Sequence, residues 1–141
     1  MLTRSFILLP TLIVLTAVVS AAPTRAADDW SFIAPGRYAV SLNDCKLLAK
    51  ARPFSKALVK DLSSEVLTRE GITSQRETHC KFRSSQRETG GKTGWIVKAA
   101  CEELGSVSQE NIAIAKNADG ALVVTSEEVF GPPLTFLLCP K

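Results

Sequence analysis

The stretch that decides the fold is residues 79–103, HCKFRSSQRETGGKTGWIVKAACEE. Apolar and polar residues alternate on both sides of Gly90-Gly91, which predicts two half-buried strands joined by a tight turn. A hairpin centred on these glycines pairs residues whose numbers sum to 181, and Cys80 and Cys101 satisfy that sum. We therefore expect the two cysteines to face each other across the hairpin and to form a disulfide.

The same register sorts the side chains of the hairpin onto two faces. Phe82 is expected beside Ala99, on the mainly apolar face that also carries the two cysteines. Arg83 is expected opposite Lys98 on the other face, as a like-charge pair that costs free energy unless an anion lies nearby. The outward face therefore carries a row of basic side chains, which is the candidate ligand-binding site: His79, Lys81, Arg83, Arg87 and Lys98.

The other two cysteines, Cys45 and Cys139, predict a second disulfide. An even number of cysteines in a small exported chain is typical of a disulfide framework. Successive cysteines are 35, 21 and 38 residues apart. Structural zinc sites usually contain closely spaced cysteine pairs, so no metal site is expected. The alternative connectivity joins Cys45 to Cys80 and Cys101 to Cys139, which barrel closure would favour.

Residues 1–26 have the pattern of a cleaved secretory signal peptide. A basic start is followed by an apolar run over residues 6–19 and then by small residues, with the expected cut after Ala26. A membrane-spanning helix needs about 20 apolar residues, and Pro10 interrupts this run, so no stable membrane anchor is expected after cleavage. The mature chain, residues 27–141, is expected to be a single disulfide-stapled domain that is periplasmic or secreted.

The charge of the mature chain argues against a nucleic-acid partner. Arg4 and Arg25 lie in the signal peptide, so 15 of the 17 basic residues remain against 14 acidic residues. A nucleic-acid binder needs a strong basic footprint, which a net charge of +1 does not provide. The sequence leaves the oligomeric state open.

The rest of the mature chain predicts an α+β fold. Residues 53–70, which end before Gly71, repeat apolar side chains every fourth position and predict one amphipathic helix. Short connections between the later strands require antiparallel neighbours. The expected architecture is this helix packed on a curved antiparallel meander of five to six strands, with closure toward a partial barrel left open. The strands are predicted over residues 73–87, 94–103, 110–116, 121–127 and 134–139.

No catalytic constellation is recognisable in the sequence. His79 is the single histidine and adjoins Cys80, but neighbouring residues of a strand point to opposite faces and cannot act together. No nucleophile elbow, phosphate-binding glycine loop or metal motif is present. No catalytic residue, metal or cofactor is therefore assigned.

Three functions are compatible with this sequence. The expected one is a binding module that contacts an acidic protein or an anionic envelope component through the basic row. The first alternative is an inhibitor of a periplasmic or foreign hydrolase, because Gly131-Pro132-Pro133 forms a stiff loop and preorganisation lowers the cost of binding. The second alternative is a small hydrolase whose catalytic set is assembled from distant residues.

Overall fold

The chain folds into an antiparallel barrel, seen in a computed structural model that describes residues 28–50, 65–74, 78–89, 93–126 and 128–141. Within these ranges eight strands close the barrel, each paired with its neighbours in sequence and the first paired with the last. One helix, α1 (Leu42–Lys50), is described, between the first two strands. The strands are β1 (Tyr38–Ala39), β2 (Val66–Thr68), β3 (Gly71–Thr73), β4 (His79–Arg87), β5 (Gly94–Glu103), β6 (Ser106–Lys116), β7 (Leu122–Thr125) and β8 (Leu134–Leu138).

The antiparallel sheet is confirmed, but the predicted number of strands and the end of the predicted helix are wrong. Eight described strands close into a barrel, where a meander of five to six was expected. Residues 53–64 of the predicted helix lie outside the described residues, and β2 replaces its end. Leu67 is buried inside the barrel, whereas Val66 packs with Leu48 of α1. A strand that is buried on both faces does not alternate apolar and polar residues. The apolar residues of β2 therefore continued the helical spacing of the preceding segment, and the predicted helix was drawn too long.

Helix α1 begins at a cap formed by Ser41. The Ser41 hydroxyl accepts a hydrogen bond from the backbone N–H of Asp44 at 3.1 Å and donates one to the Asp44 carboxylate at 2.9 Å. This cap satisfies a backbone donor that the first helical turn leaves unpaired. No helix in the described ranges is long and apolar enough to cross a lipid bilayer.

Both disulfides have the expected pairing. Cys80 of β4 is bonded to Cys101 of β5, with Cα atoms 3.9 Å apart. Cys45 of α1 is bonded to Cys139, which follows β8, with Cα atoms 5.2 Å apart. Disulfides form and persist outside reducing compartments, so the two bridges indicate a protein that matures outside the cytoplasm. The predicted signal peptide itself lies outside the described residues.

A β-bulge at Arg83 divides the ladder between β4 and β5 into two registers. Before the bulge the predicted register holds, with Phe82 opposite Ala99. Arg83 is then the additional residue of β4, and Ser84 lies opposite Lys98 in its place. The predicted pair of Arg83 and Lys98 is therefore wrong, because the bulge inserts one residue that has no partner. The predicted turn at residues 90–91 lies outside the described residues.

The bulge also moves the end of β4 to the opposite face of the sheet. Ser85 lies opposite Val97 and is buried, and Arg87 lies opposite the buried Trp95. The guanidinium carbon of Arg87 is 5.2 Å from the centroid of the Trp95 ring. The prediction that Arg87 belongs to the outward basic row is therefore wrong.

We expect Gly71→Ala to destabilise the barrel, because β3 and β4 approach each other closely at Gly71. A Cβ atom there would overlap the backbone carbonyl oxygen of Cys80, which cannot rotate away. Urea denaturation should give a loss of about 1–3 kcal/mol in the free energy of unfolding, the range for overpacked positions. The exposed control Ser108→Ala should change it by less than about 0.5 kcal/mol. Equal effects of the two substitutions would contradict the close approach.

Removal of the two disulfides should destabilise the protein unequally. The bridges close loops with sequence separations of 21 and 94 residues. Because the entropy of loop closure grows with length, Cys80→Ala/Cys101→Ala should cost about 3 kcal/mol and Cys45→Ala/Cys139→Ala about 4.7 kcal/mol. Urea denaturation of the two double variants measures both losses. A smaller loss for the Cys45–Cys139 pair would show that loop length does not set the order.

Candidate functional site

Three exposed cationic side chains share the outer face of β4 and β5. Lys81 and Arg83 of β4 and Lys98 of β5 are called the cationic patch below. Lys81 lies opposite Ala100, two residues along β5 from Lys98. Lys81 and Lys98 are therefore diagonal neighbours, whose Cβ atoms in such a ladder are about 7–8 Å apart. The bulge at Arg83 places a third cation next to them.

The sheet gives the two lysines of the cationic patch uncharged neighbours. Lys81 lies between residues of β3 and β5, and Lys98 lies between residues of β4 and β6. The residues directly opposite the two lysines are Gly71, Ala100, Ser84 and Asn111. None of these four side chains can neutralise an ammonium group, but Glu102 is a diagonal neighbour of Lys81 and carries the opposite charge.

His79 borders the cationic patch but has partners of its own. It is half-buried, and its Nδ1 atom lies 3.2 Å from the hydroxyl oxygen of Thr73. Across the ladder His79 lies opposite Glu102, whose negative charge weakens the positive field at this end of the row. The site predicted from sequence therefore divides. The cationic patch stays together, His79 lies at its border and Arg87 lies on the other face.

A shallow depression adjoins the cationic patch on the side of β3. Its volume is about 230 Å³, and its lining includes Gly71, Thr73, His79 and Lys81. Glu70 also lines it, so its rim carries both signs of charge. A small anionic group on the patch would lie on the Lys81 side of this depression.

The segment at residues 28–33 packs aromatic rings against β4 and β5. Trp30 stacks on Phe82 with ring centroids 6.0 Å apart, and Phe32 stacks on Trp95 at 4.5 Å. Arg87 lies over the Trp95 ring and belongs to this cluster. The position of Arg87 is therefore explained by packing, because a guanidinium over an indole ring is a favourable contact.

Asp29 anchors this segment to the barrel. Its carboxylate accepts hydrogen bonds from the indole N–H of Trp95 at 2.9 Å, and from the backbone N–H and the hydroxyl of Ser31 at 3.0 and 2.6 Å. The hydrogen bonds from Ser31 and Trp95 lower the pKa of Asp29 from 3.8 to about 2. Asp29 was not among the residues predicted from sequence. The available signal was the spacing to Ser31, since aspartate side chains often bond a backbone N–H two residues later.

The loop at residues 131–133 and the four cysteines were also candidates from the sequence. Gly131, Pro132 and Pro133 are exposed, and Gly131 adopts a φ of +70°, which glycine reaches without strain. All four cysteines are in disulfides, so none offers a thiol while the bridges are intact. Within the described part of the chain, no group of three or more His, Cys, Asp or Glu residues is placed to hold a metal ion.

The lowered pKa of Asp29 predicts a contribution to stability that depends on pH. The folded-state value of about 2 lies below the ordinary 3.8, so the stabilisation is fully present above about pH 4 and is lost as the pH falls toward 2. Asp29→Asn should therefore destabilise the protein at pH 6, and its deficit relative to the wild type should narrow at pH 2.5. Urea denaturation followed by tryptophan fluorescence measures this difference. The exposed control Asp119→Asn should show no such trend, and a constant deficit for Asp29→Asn would contradict the assignment.

Comparisons with protein-family models, with curated proteins and with solved structures give no significant match for this chain. The cationic patch is the most distinctive surface of the described residues, because it combines three exposed like charges with uncharged residues directly opposite both lysines.

Proposed function

We propose that the protein is an exported, non-enzymatic binding module that holds an anionic partner on its cationic patch. The partner is an acidic protein surface or an anionic component of the cell envelope, and the module acts in the periplasm or after secretion. The two disulfides support an oxidising location. The cationic patch supports the sign of the partner's charge.

The observation that carries the proposal is the placement of three exposed cations on one face of the sheet, with uncharged side chains directly opposite both lysines. Like charges on neighbouring side chains repel each other, and uncharged side chains beside them do not relieve this repulsion. A carboxylate or phosphate between Lys81 and Lys98 would replace the repulsion with two attractive contacts. Arg83 adds a planar group that can bind either anion through two parallel hydrogen bonds.

The surrounding sheet makes the cationic patch a defined surface. The disulfide between Cys80 and Cys101 joins the strands that carry it, and β3 and β6 pair on either side of those strands. A rigid scaffold lowers the ordering cost of binding, so only the ends of the long basic side chains must be fixed. A few contacts on this surface are therefore sufficient to bind an anion with modest affinity.

The inhibitor alternative is supported by a different observation. The loop at residues 131–133 is exposed, contains two consecutive prolines and lies directly before β8. Proline restricts the backbone, so such a loop can present a segment to an enzyme at low entropic cost. A hydrolase bound in this way would depend on Pro132 and Pro133 and not on the cationic patch.

Charge reversal tests the proposed function. The variant Lys81→Glu/Arg83→Glu/Lys98→Glu should bind poly-L-glutamate and phosphatidylglycerol vesicles more weakly by about tenfold or more, because about 1.4 kcal/mol of attraction is lost. Wild-type binding should weaken when the salt concentration is raised, since exposed charges are screened. Isothermal titration calorimetry of the oxidised mature protein measures both effects.

A matched control separates the cationic patch from net charge. Lys46→Glu/Lys50→Glu/Lys116→Glu makes the same change in total charge at exposed positions outside the patch, and it should retain wild-type affinity within about twofold. Binding to poly-L-glutamate alone would identify an acidic protein partner, and binding to the vesicles alone would identify an envelope anion. Equal losses in the two triple variants would contradict a defined site. If binding were lost in Pro132→Gly instead, the inhibitor alternative would be favoured.

A further inference from the structure

The hairpin of β5 and β6 projects beyond the barrel. Every residue from 102 to 109 is exposed, on both faces of the hairpin, whereas both strands become buried nearer the barrel. The hairpin turns through a two-residue loop, Leu104-Gly105, because Glu103 pairs with Ser106. This projecting part therefore contributes little to the hydrophobic core.

One edge of this projection has no described partner strand. β5 pairs with β6 along its whole length, from Ser106 to Ala115. On the other side, β7 pairs only with residues 113–116 of β6. Residues 106–112 of β6 therefore form a free edge with respect to the strands that the structure describes. A strand edge of this length is a template for a further extended chain.

The register identifies the backbone groups that this free edge offers. In an antiparallel ladder, the residues that close a two-residue loop are hydrogen-bonded to each other, and the bonding alternates from there. The pair Glu103–Ser106 closes the loop. Val107, Gln109 and Asn111 consequently direct both their N–H and their C=O groups away from β5, and all three residues are exposed.

The turn residue Leu104 has a conformation that the fold alone does not favour. Its φ is +49°, a left-handed conformation that residues with a side chain disfavour, and turns of this kind favour asparagine. The side chain is 84% exposed and gains no burial in compensation, and Val107 beside it is 66% exposed. An unfavourable backbone conformation that carries an exposed apolar side chain is typical of a surface that contacts another molecule.

The charge of the hairpin selects the partner. The projecting part, residues 102–110, contains Glu102, Glu103 and Glu110 and no lysine or arginine, and Lys98 lies opposite Asn111 at the barrel end of the free edge. A second copy of the chain paired along the same edge would bring six carboxylates together, and this repulsion opposes dimerisation. A segment that carries lysine or arginine would instead place cations beside the three glutamates. The free edge is therefore complementary to a basic chain.

We propose that the free edge of β6 binds an extended, basic polypeptide segment, which adds to the sheet as a further strand. Val107, Gln109 and Asn111 supply the main-chain hydrogen bonds, Glu110 attracts a basic side chain on the added strand, and Leu104 provides an apolar contact at the tip. This inference goes beyond the proposed function, because it assigns a second surface that takes a partner of the opposite charge.

Peptide binding tests the inference on the oxidised mature protein. The probe is a blocked seven-residue peptide that alternates lysine with valine, and its controls carry glutamate for lysine or proline at the central valine. The lysine peptide should slow amide hydrogen exchange at Val107, Gln109 and Asn111 by about tenfold, because strand addition engages these three N–H groups. Neither control peptide should do so.

Variants of the protein complete the test. Gln109→Pro removes one N–H from the free edge without breaking a bond to β5, and it should abolish the protection, whereas Gln109→Thr should retain it. Leu104→Asn should raise the thermal midpoint of unfolding and weaken the binding of the lysine peptide. If Leu104 stabilised the fold, the substitution would lower the midpoint instead. Any one of four results would overturn the inference. These are equal binding of the glutamate peptide, protection of amides outside the free edge, no binding of the lysine peptide at millimolar concentration, and a dimer formed through β6 in the free protein. The charge-reversed cationic patch should bind the lysine peptide at least as tightly as the wild type, because Lys98 lies opposite Asn111. The same variant should lose its anionic ligands, so the two surfaces give opposite responses.

Discussion

The cross-strand disulfide between Cys80 and Cys101 is the constraint on which the arrangement of the surface depends. In a sheet, a slip of one residue in the pairing moves every side chain of a strand to the other face. The bridge excludes such a slip between β4 and β5, so Phe82 is kept inside the barrel and Lys81 outside it. β3 and β6 pair on either side of these two strands, and the register set by the bridge holds as far as the bulge at Arg83.

The sequence was sufficient for the hairpin and its disulfide but not for the bulge, and the reason is physical. Two glycines, two cysteines and alternating apolar residues all point to one pairing near Cys80. From Arg83 to Arg87 the chain has five consecutive polar residues. A shift of one position in the strand pairing therefore leaves no sign in the alternation of apolar and polar residues. The bulge lies after Lys81 and before Arg87, so Lys81 keeps the expected register and Arg87 does not.

Closure of the barrel was also beyond the reach of periodicity, because periodicity reports which residues are buried and not which strands pair. Strand β1 contributes only Tyr38 and Ala39, yet it pairs with both β2 and β8 and joins the two ends of the sheet. The free edge of β6 depends in turn on where β7 stops pairing, at Ala113. Such a boundary is set by tertiary contacts, so a surface defined by an unpaired edge appears only once the neighbouring strands are placed.

The bridge between Cys45 and Cys139 has a consequence for the covalent topology of the chain. It links two points that are 94 residues apart, with nearly the whole barrel between them. If an endopeptidase cuts one exposed bond within that span, for example in the loop at residues 131–133, the two resulting pieces stay joined through sulfur. Such a nicked molecule gains only the mass of one water and keeps both pieces until the bridge is reduced, so proteolytic damage and the release of fragments become separate events.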